Sequence, residues 1–122
     1  MSSRAPNQSL RDILNSIILI DEFVAGISFD RFRDDPMRIA AVERHLQKIS
    51  EAAIRLGDGA EVLCPGLPWR NIRGIGNFLR HEYDRVDLDT VWHTVTDHLP
   101  PLKASITVAL QKSETGLNPK RS

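Results

Sequence analysis

Ile39, Val42, Leu46, Ile49, Ala53 and Leu56 recur at alternating steps of three and four residues. That rhythm matches the 3.6-residue turn of an α-helix and puts all six side chains on one seam; in a strand, whose period is two, they would scatter over both faces. The seam has clear ends. Asp35-Pro36 reads as an N-cap followed by proline at the first helical position, and Gly57 supplies the C-terminal stop. A seam of nearly three heptads packs against another helix, from the same chain or from a partner. The chain is thereby directed toward helix-on-helix packing.

Three further helices follow from the same periodicity. Leu10, Ile13, Leu14, Ile17, Ile20, Val24 and Ile27 predict a helix over roughly Leu10–Ile27, with Ser9 as its cap and Gly26 and Ser28 at its end. The stretch from Gly57 to Pro68 holds three Gly and two Pro and reads as a loop. Pro68 opens a third helix, with Ile72, Ile75, Phe78 and Leu79 on one arc and Arg73, Asn77, Arg80 and His81 opposite. A fourth starts near Asp87 and carries Leu88, Val91, Val95, Leu99, Leu102 and Ile106. Pro100-Pro101 interrupts that stripe and predicts a kink or a new helix. No segment alternates in the strand manner, and no Asn-Gly or Asp-Gly hairpin signal occurs. The fold class expected is all-α, a small antiparallel bundle of four to five helices. Residues 1–112 are expected to form a single domain, and 113–122, SETGLNPKRS, a disordered tail.

Charge says little globally. The 122 residues hold 16 Lys+Arg and 16 Asp+Glu, so net charge gives no argument for nucleic-acid or membrane binding. Locally, four Arg stand between positions 70 and 85 against Glu82 and Asp84, which reads equally well as a solvated face. The single Cys64 excludes an internal disulfide and suits a small packing residue. No apolar run is long enough to span a membrane, and MSSRAPNQ has no signal-peptide core, so cytoplasmic residence is the expectation. His45, His93 and His98 lack the His-Glu-x-x-His spacing, and neither a metal site nor a cofactor is expected. Gly74-Ile75-Gly76-Asn77 follows no strand and is no dinucleotide-binding loop.

The polar face of the third helix carries the chemistry. An imidazole, with an unperturbed pKa of ~6.5, exchanges protons near neutral pH. His81 therefore suits acid–base cleavage of RNA, in which the ribose 2′-hydroxyl attacks the neighbouring phosphate. Arg73 or Arg80 could stabilise charge developing on that phosphate. Asn77, one turn before His81, could orient the imidazole or bind substrate. The bland alternative is an interface or capping histidine with arginines paired to Glu82 and Asp84. Tyr83, a phenol at the helix end, either packs beside Ile72 and Leu79 or accepts a nucleotidyl group.

These residues sit in a wider pattern. It comprises Arg44…Glu51-Ala52-Ala53, Leu67-Pro68-Trp69, Gly74-x-x-Asn77-x-x-x-His81-x-Tyr83, Val86-Asp87…Val91-Trp92 and Leu99-Pro100-Pro101-Leu102. So patterned, the chain resembles the HepT-like branch of the HEPN superfamily over roughly Leu10–Ile106. The resemblance implies the toxin of a type VII-like toxin–antitoxin pair: a metal-independent ribonuclease, homodimeric, with its cleft where the motif helices of two subunits meet. It implies a minimal nucleotidyltransferase as antitoxin, silencing the toxin by AMP transfer to a tyrosine, here Tyr83, with His81 as catalytic histidine. The family arginine that directly precedes the asparagine is Gly76 here, and the nearest upstream arginine, Arg73, stands eight residues before His81. Arg73 and Arg80 are then substitutes for it.

Three functions follow as expectations. The first is a ribonuclease toxin using His81, Asn77 and Arg73 or Arg80, silenced at Tyr83. The second is a catalytically inactive partner protein that keeps the nucleotidyltransferase surface. The third is a nucleotide-binding module with an arginine-rich face.

Overall fold

The computed structural model describes residues 4–81 and 87–116, with side chains over 5–79 and 87–113. Among these residues the elements are α1 (Arg4–Val24), α2 (Phe29–Arg33), α3 (Pro36–Leu56), α4 (Gly59–Leu63), α5 (Trp69–His81), α6 (Leu88–His93), a π-helical turn (Thr94–His98) and α7 (Leu99–Gly116). The described residues contain no strand, and the all-α bundle expected from the sequence is what forms.

The α3 seam is buried inside the chain. Val42, Leu46, Ile49 and Ala53 are at most 1% exposed and share one core with Leu10, Ile13, Ile17 and Ile20 of α1. Each large aliphatic side chain so buried contributes roughly 1.5–3 kcal/mol. The two helices run antiparallel, pinned by Arg55 Nη2 to Asp12 Oδ2 at 2.9 Å, Ser16 Oγ to His45 Nδ1 at 3.2 Å, and the Arg38 guanidinium donating to the Phe23 carbonyl. On the other side of α1, α7 runs antiparallel to it, fixed by Asn7 to Ser113 at 2.8 Å and Lys103 to Asp21 at 3.0 Å. Because α1 covers the seam, the seam itself does not call for a second copy of the chain.

Local signals set the ends. Asp35 caps α3, accepting from the Arg38 N–H at 3.1 Å and from Arg38 Nε at 3.0 Å. Gly57 closes it at φ +56°, where an L side chain would be strained. Asp87 caps α6 and accepts from the Thr90 hydroxyl at 2.8 Å. These bonds hold both carboxyls below their ordinary range, the Arg38 N–H being the main cause at Asp35 and the Thr90 hydroxyl at Asp87. A carboxyl acidified by folding stabilises the fold above its unfolded pKa of about 3.9, and that stability is lost as pH falls through the lower folded value. Thermal midpoints followed from about pH 5 down to pH 2 should fall, and Asp35→Asn should flatten that fall.

Several local expectations change. The first helix begins at Arg4, so Ser9 lies buried within it instead of capping it; Pro6 is tolerated in the first turn, and Asn7 ties that turn to α7. The stretch between α1 and α3 and the Gly/Pro-rich stretch after α3 each hold a single-turn helix, α2 and α4, too short to show a period. Phe32 of α2 is fully buried and its ring lies 5.1 Å from that of Trp92. The proline pair does mark a break, and its form is the π-helical turn immediately ahead of α7. Pro100 and Pro101 offer no N–H to the preceding carbonyls, and a widened turn accommodates their rings. The hydroxyls of Thr94 and Thr96 donate to the carbonyls of Thr90 and Trp92 at 2.9 and 3.0 Å. The last helix continues to Gly116, beyond the Ser113 at which the tail was expected to start.

Candidate functional site

Helix α5 carries the polar motif and is held along its length. At its start Trp69 is 1% exposed and donates its indole N–H to the Cys64 carbonyl at 2.8 Å. Cys64 is buried, and burial pushes its thiol above the ordinary range, as suits a packing residue. At mid-helix the buried Ser50 of α3 donates to the Arg73 carbonyl at 2.7 Å and accepts the Gly76 N–H at 3.1 Å. Toward its end Leu79 shares a hollow with Ala40, Glu43, Arg44 and Gln47 of α3. The order of these contacts makes α5 antiparallel to α3.

The polar face separates into two sets. Arg70, Gly74 and Asn77 are exposed, and His81 closes the helix. Their spacing of four, three and four residues places them on one stripe. Arg73 lies beside that stripe with its guanidinium engaged elsewhere: Nη2 meets Glu61 Oε2 at 2.7 Å and Nη1 donates to the Gly57 carbonyl at 3.3 Å. The bond from Arg73 holds the Glu61 carboxyl below its usual range. Arg73 thus anchors α5 to α4, a role the sequence pattern does not reveal. The side chains of Arg80 and His81, and Tyr83 altogether, lie outside the described residues. Gly76, which stands where the family places arginine, is buried and faces Ser50 within the same chain.

Two residues were not singled out by the sequence. Arg70 is exposed and makes no hydrogen bond or ion pair among the described residues, although its helical-wheel position relative to Asn77 and His81 was available as a signal. Glu43 is half-buried beside Leu79, near the end of α5, and burial raises its carboxyl above the ordinary range. A carboxylate there was not legible, because only the α3–α5 contact brings it to the motif helix.

His45 and His93 are placed apart, whereas His98 lines a groove beside α5. His45 faces α1, packs against Phe23 and meets Ser16; burial, then Lys48 and Arg44, lower its pKa. His93 pairs with Asp97 at 2.5 Å on the exposed side of α6 and the π turn. Glu51 lines the groove between α1 and α3, whereas Arg44 lies on the α5 side.

The result is a buried-core helical bundle in which one helix carries positions 77 and 81 one turn apart. A family model described as Ribonuclease HepT-like matches residues 13–109. A chain named as a probable ribonuclease HepT from Thermococcus cleftensis is 36% identical over 100 residues, covering 82% of this chain and 91% of that one. A protein named as a candidate RNase from Caldanaerobacter subterraneus subsp. tengcongensis is 32% identical over 111 residues, 91% of this chain and 99% of its own. Another so named, from Methanocaldococcus jannaschii, is 31% identical over 108 residues, covering 88% of this chain and 99% of its own. No solved structure gives a significant match. The chain belongs to the ribonuclease HepT-like family. Among the described residues, no helix is long and apolar enough to cross a membrane.

Proposed function

We propose that this chain is a metal-independent ribonuclease that acts as the toxin of a type VII-like toxin–antitoxin pair. The observation that carries the reading is the α5 stripe of Arg70, Asn77 and His81 in a chain of the HepT-like family. His81 takes the proton from a ribose 2′-hydroxyl, whose oxygen attacks the adjacent phosphorus as the bond to the 5′-oxygen breaks. A proton returned to that oxygen completes the step, leaving a 2′,3′-cyclic phosphate and a 5′-hydroxyl. Asn77 positions the reacting groups, and an arginine offsets the growing charge on the phosphate. Arg80 is the motif-proximal candidate for that role. Arg73 can take part only by giving up Glu61. Two copies of the chain form the working unit in the cytoplasm. A minimal nucleotidyltransferase silences it when the Tyr83 phenol attacks the α-phosphate of ATP, forming the AMP ester and releasing pyrophosphate.

A second reading has one observation in its favour. Gly76 is buried against Ser50, so the family arginine is absent and its position is filled by the α3 contact. On that reading the chain is an inactive partner that still binds the nucleotidyltransferase.

Induced expression in a bacterial host separates the two. The toxin reading expects growth arrest by the wild-type chain, relief on co-expression of its partner nucleotidyltransferase, and no relief for Tyr83→Phe. Unimpaired growth with intact, folded protein would favour the inactive partner.

A further inference from the structure

A groove of about 400 Å³ runs between α5 and the segment formed by α6 and the π turn. Ile75, Phe78 and Val91 form its apolar lining, while Arg70, Asn71 and His98 stand among its polar residues. Its volume lies in the range of pockets that take a single small-molecule-sized group. Among the described residues that line it there is no Asp or Glu, and Arg70, exposed and unpaired among the described residues, gives it a cationic rim. The groove between α1 and α3 is different in kind, because Asp12 and Glu51 line it beside Lys48 and Arg55.

The position relative to the motif is as telling as the composition. Arg70 and Gly74 both line the groove and both lie on the stripe that continues through Asn77 to His81. Eleven residues separate Arg70 from His81, a rise of ~16 Å along the helix. At Gly74 nothing lies within 4 Å of where a Cβ would be, so the helix backbone is bare at the groove. A flat ring can approach there without displacing a side chain. Single-stranded RNA is bound in general by bases set on aromatic and apolar surfaces and phosphates set on arginine.

We infer that this groove seats one nucleobase of the RNA substrate, against Ile75 and Phe78, with Arg70 holding a phosphate of the same strand. The inference rests on the ribonuclease reading and extends it from the reacting phosphate to a neighbouring nucleotide. Charge complementarity favours RNA over a second copy of the chain as occupant, since Arg70 is unpaired among the described residues and none of the described lining residues is a carboxylate.

Binding of fluorescein-labelled single-stranded RNA, measured by anisotropy with full-length His81→Ala protein, tests it without turnover. Gly74→Trp fills the groove from an exposed position, and Arg70→Glu reverses the rim charge; both are added to that parent. Each should weaken binding about tenfold or more, with unchanged thermal midpoint and unchanged mass by light scattering. An oligonucleotide of the same length lacking bases should bind Gly74→Trp and its parent alike while still distinguishing Arg70→Glu. Parent-like affinity for Gly74→Trp overturns the inference. So does a fall in mass with RNA affinity per subunit retained, which would make the groove a contact between copies. Failure of the ribonuclease reading itself looks different: the His81→Ala parent binds no RNA, and the wild-type chain cuts none.

Discussion

His81→Ala is expected to lower RNA cleavage by about two to four orders of magnitude, the usual share of a positioned acid–base group. The thermal midpoint should stay close to that of the wild-type chain, because position 81 ends α5 and the helix is anchored elsewhere, by Trp69, Ser50 and Leu79. The other histidines provide the contrast. His93 is exposed and paired with Asp97, so His93→Ala should leave the cleavage rate within about twofold of wild type. A loss shared equally by both variants would point to general damage. A retained rate in His81→Ala would remove the central residue of the proposal.

Gly76→Arg, the substitution that rebuilds the family motif, is expected to destabilise this particular chain by roughly 2–4 kcal/mol. Gly76 is buried, and its N–H lies 3.1 Å from the hydroxyl of Ser50, itself 1% exposed. Added atoms in a packed helix contact cost about 1–3 kcal/mol in strain, and an unpaired guanidinium taken out of water adds to that. The gain in helix propensity over glycine, about 1 kcal/mol, offsets only part. Ser50→Gly should relieve the contact, so the double variant is expected to be more stable than the sum of the separate effects indicates. Urea unfolding of the four proteins measures this directly. Wild-type stability in the single variant would show that an arginine escapes the α3 contact, and accompanying new cleavage would favour the inactive-partner reading of the natural chain.

The parts of the fold legible in the sequence are those written locally. The α3 seam, the Asp35-Pro36 start and the Gly57 stop each depend on neighbours within a turn or two, and all three are found where the spacing puts them. The proline pair fixed the place of the break but not its π-helical form, which depends on how the turn repacks. One-turn helices such as α2 and α4 contain too few residues for a period to emerge. At the site, the sequence identified α5 as a helix with one polar face, and Asn77 is exposed there as expected. It could not show that Arg73 is tied to Glu61, or that Ser50 occupies the space beside Gly76. Those pairs are separated by 12 and 26 residues and meet only through tertiary packing. Arg70 is the opposite case: its four-three-four relation to Gly74, Asn77 and His81 is written in the chain, and what the fold adds is the groove beside it.

The most direct test of the central claim is digestion of RNA by the purified wild-type chain in excess EDTA, with the fragment ends identified. The expected result is cleavage that leaves 2′,3′-cyclic phosphate and 5′-hydroxyl ends and disappears in His81→Ala. Intact RNA after prolonged incubation with folded wild-type protein would contradict the account.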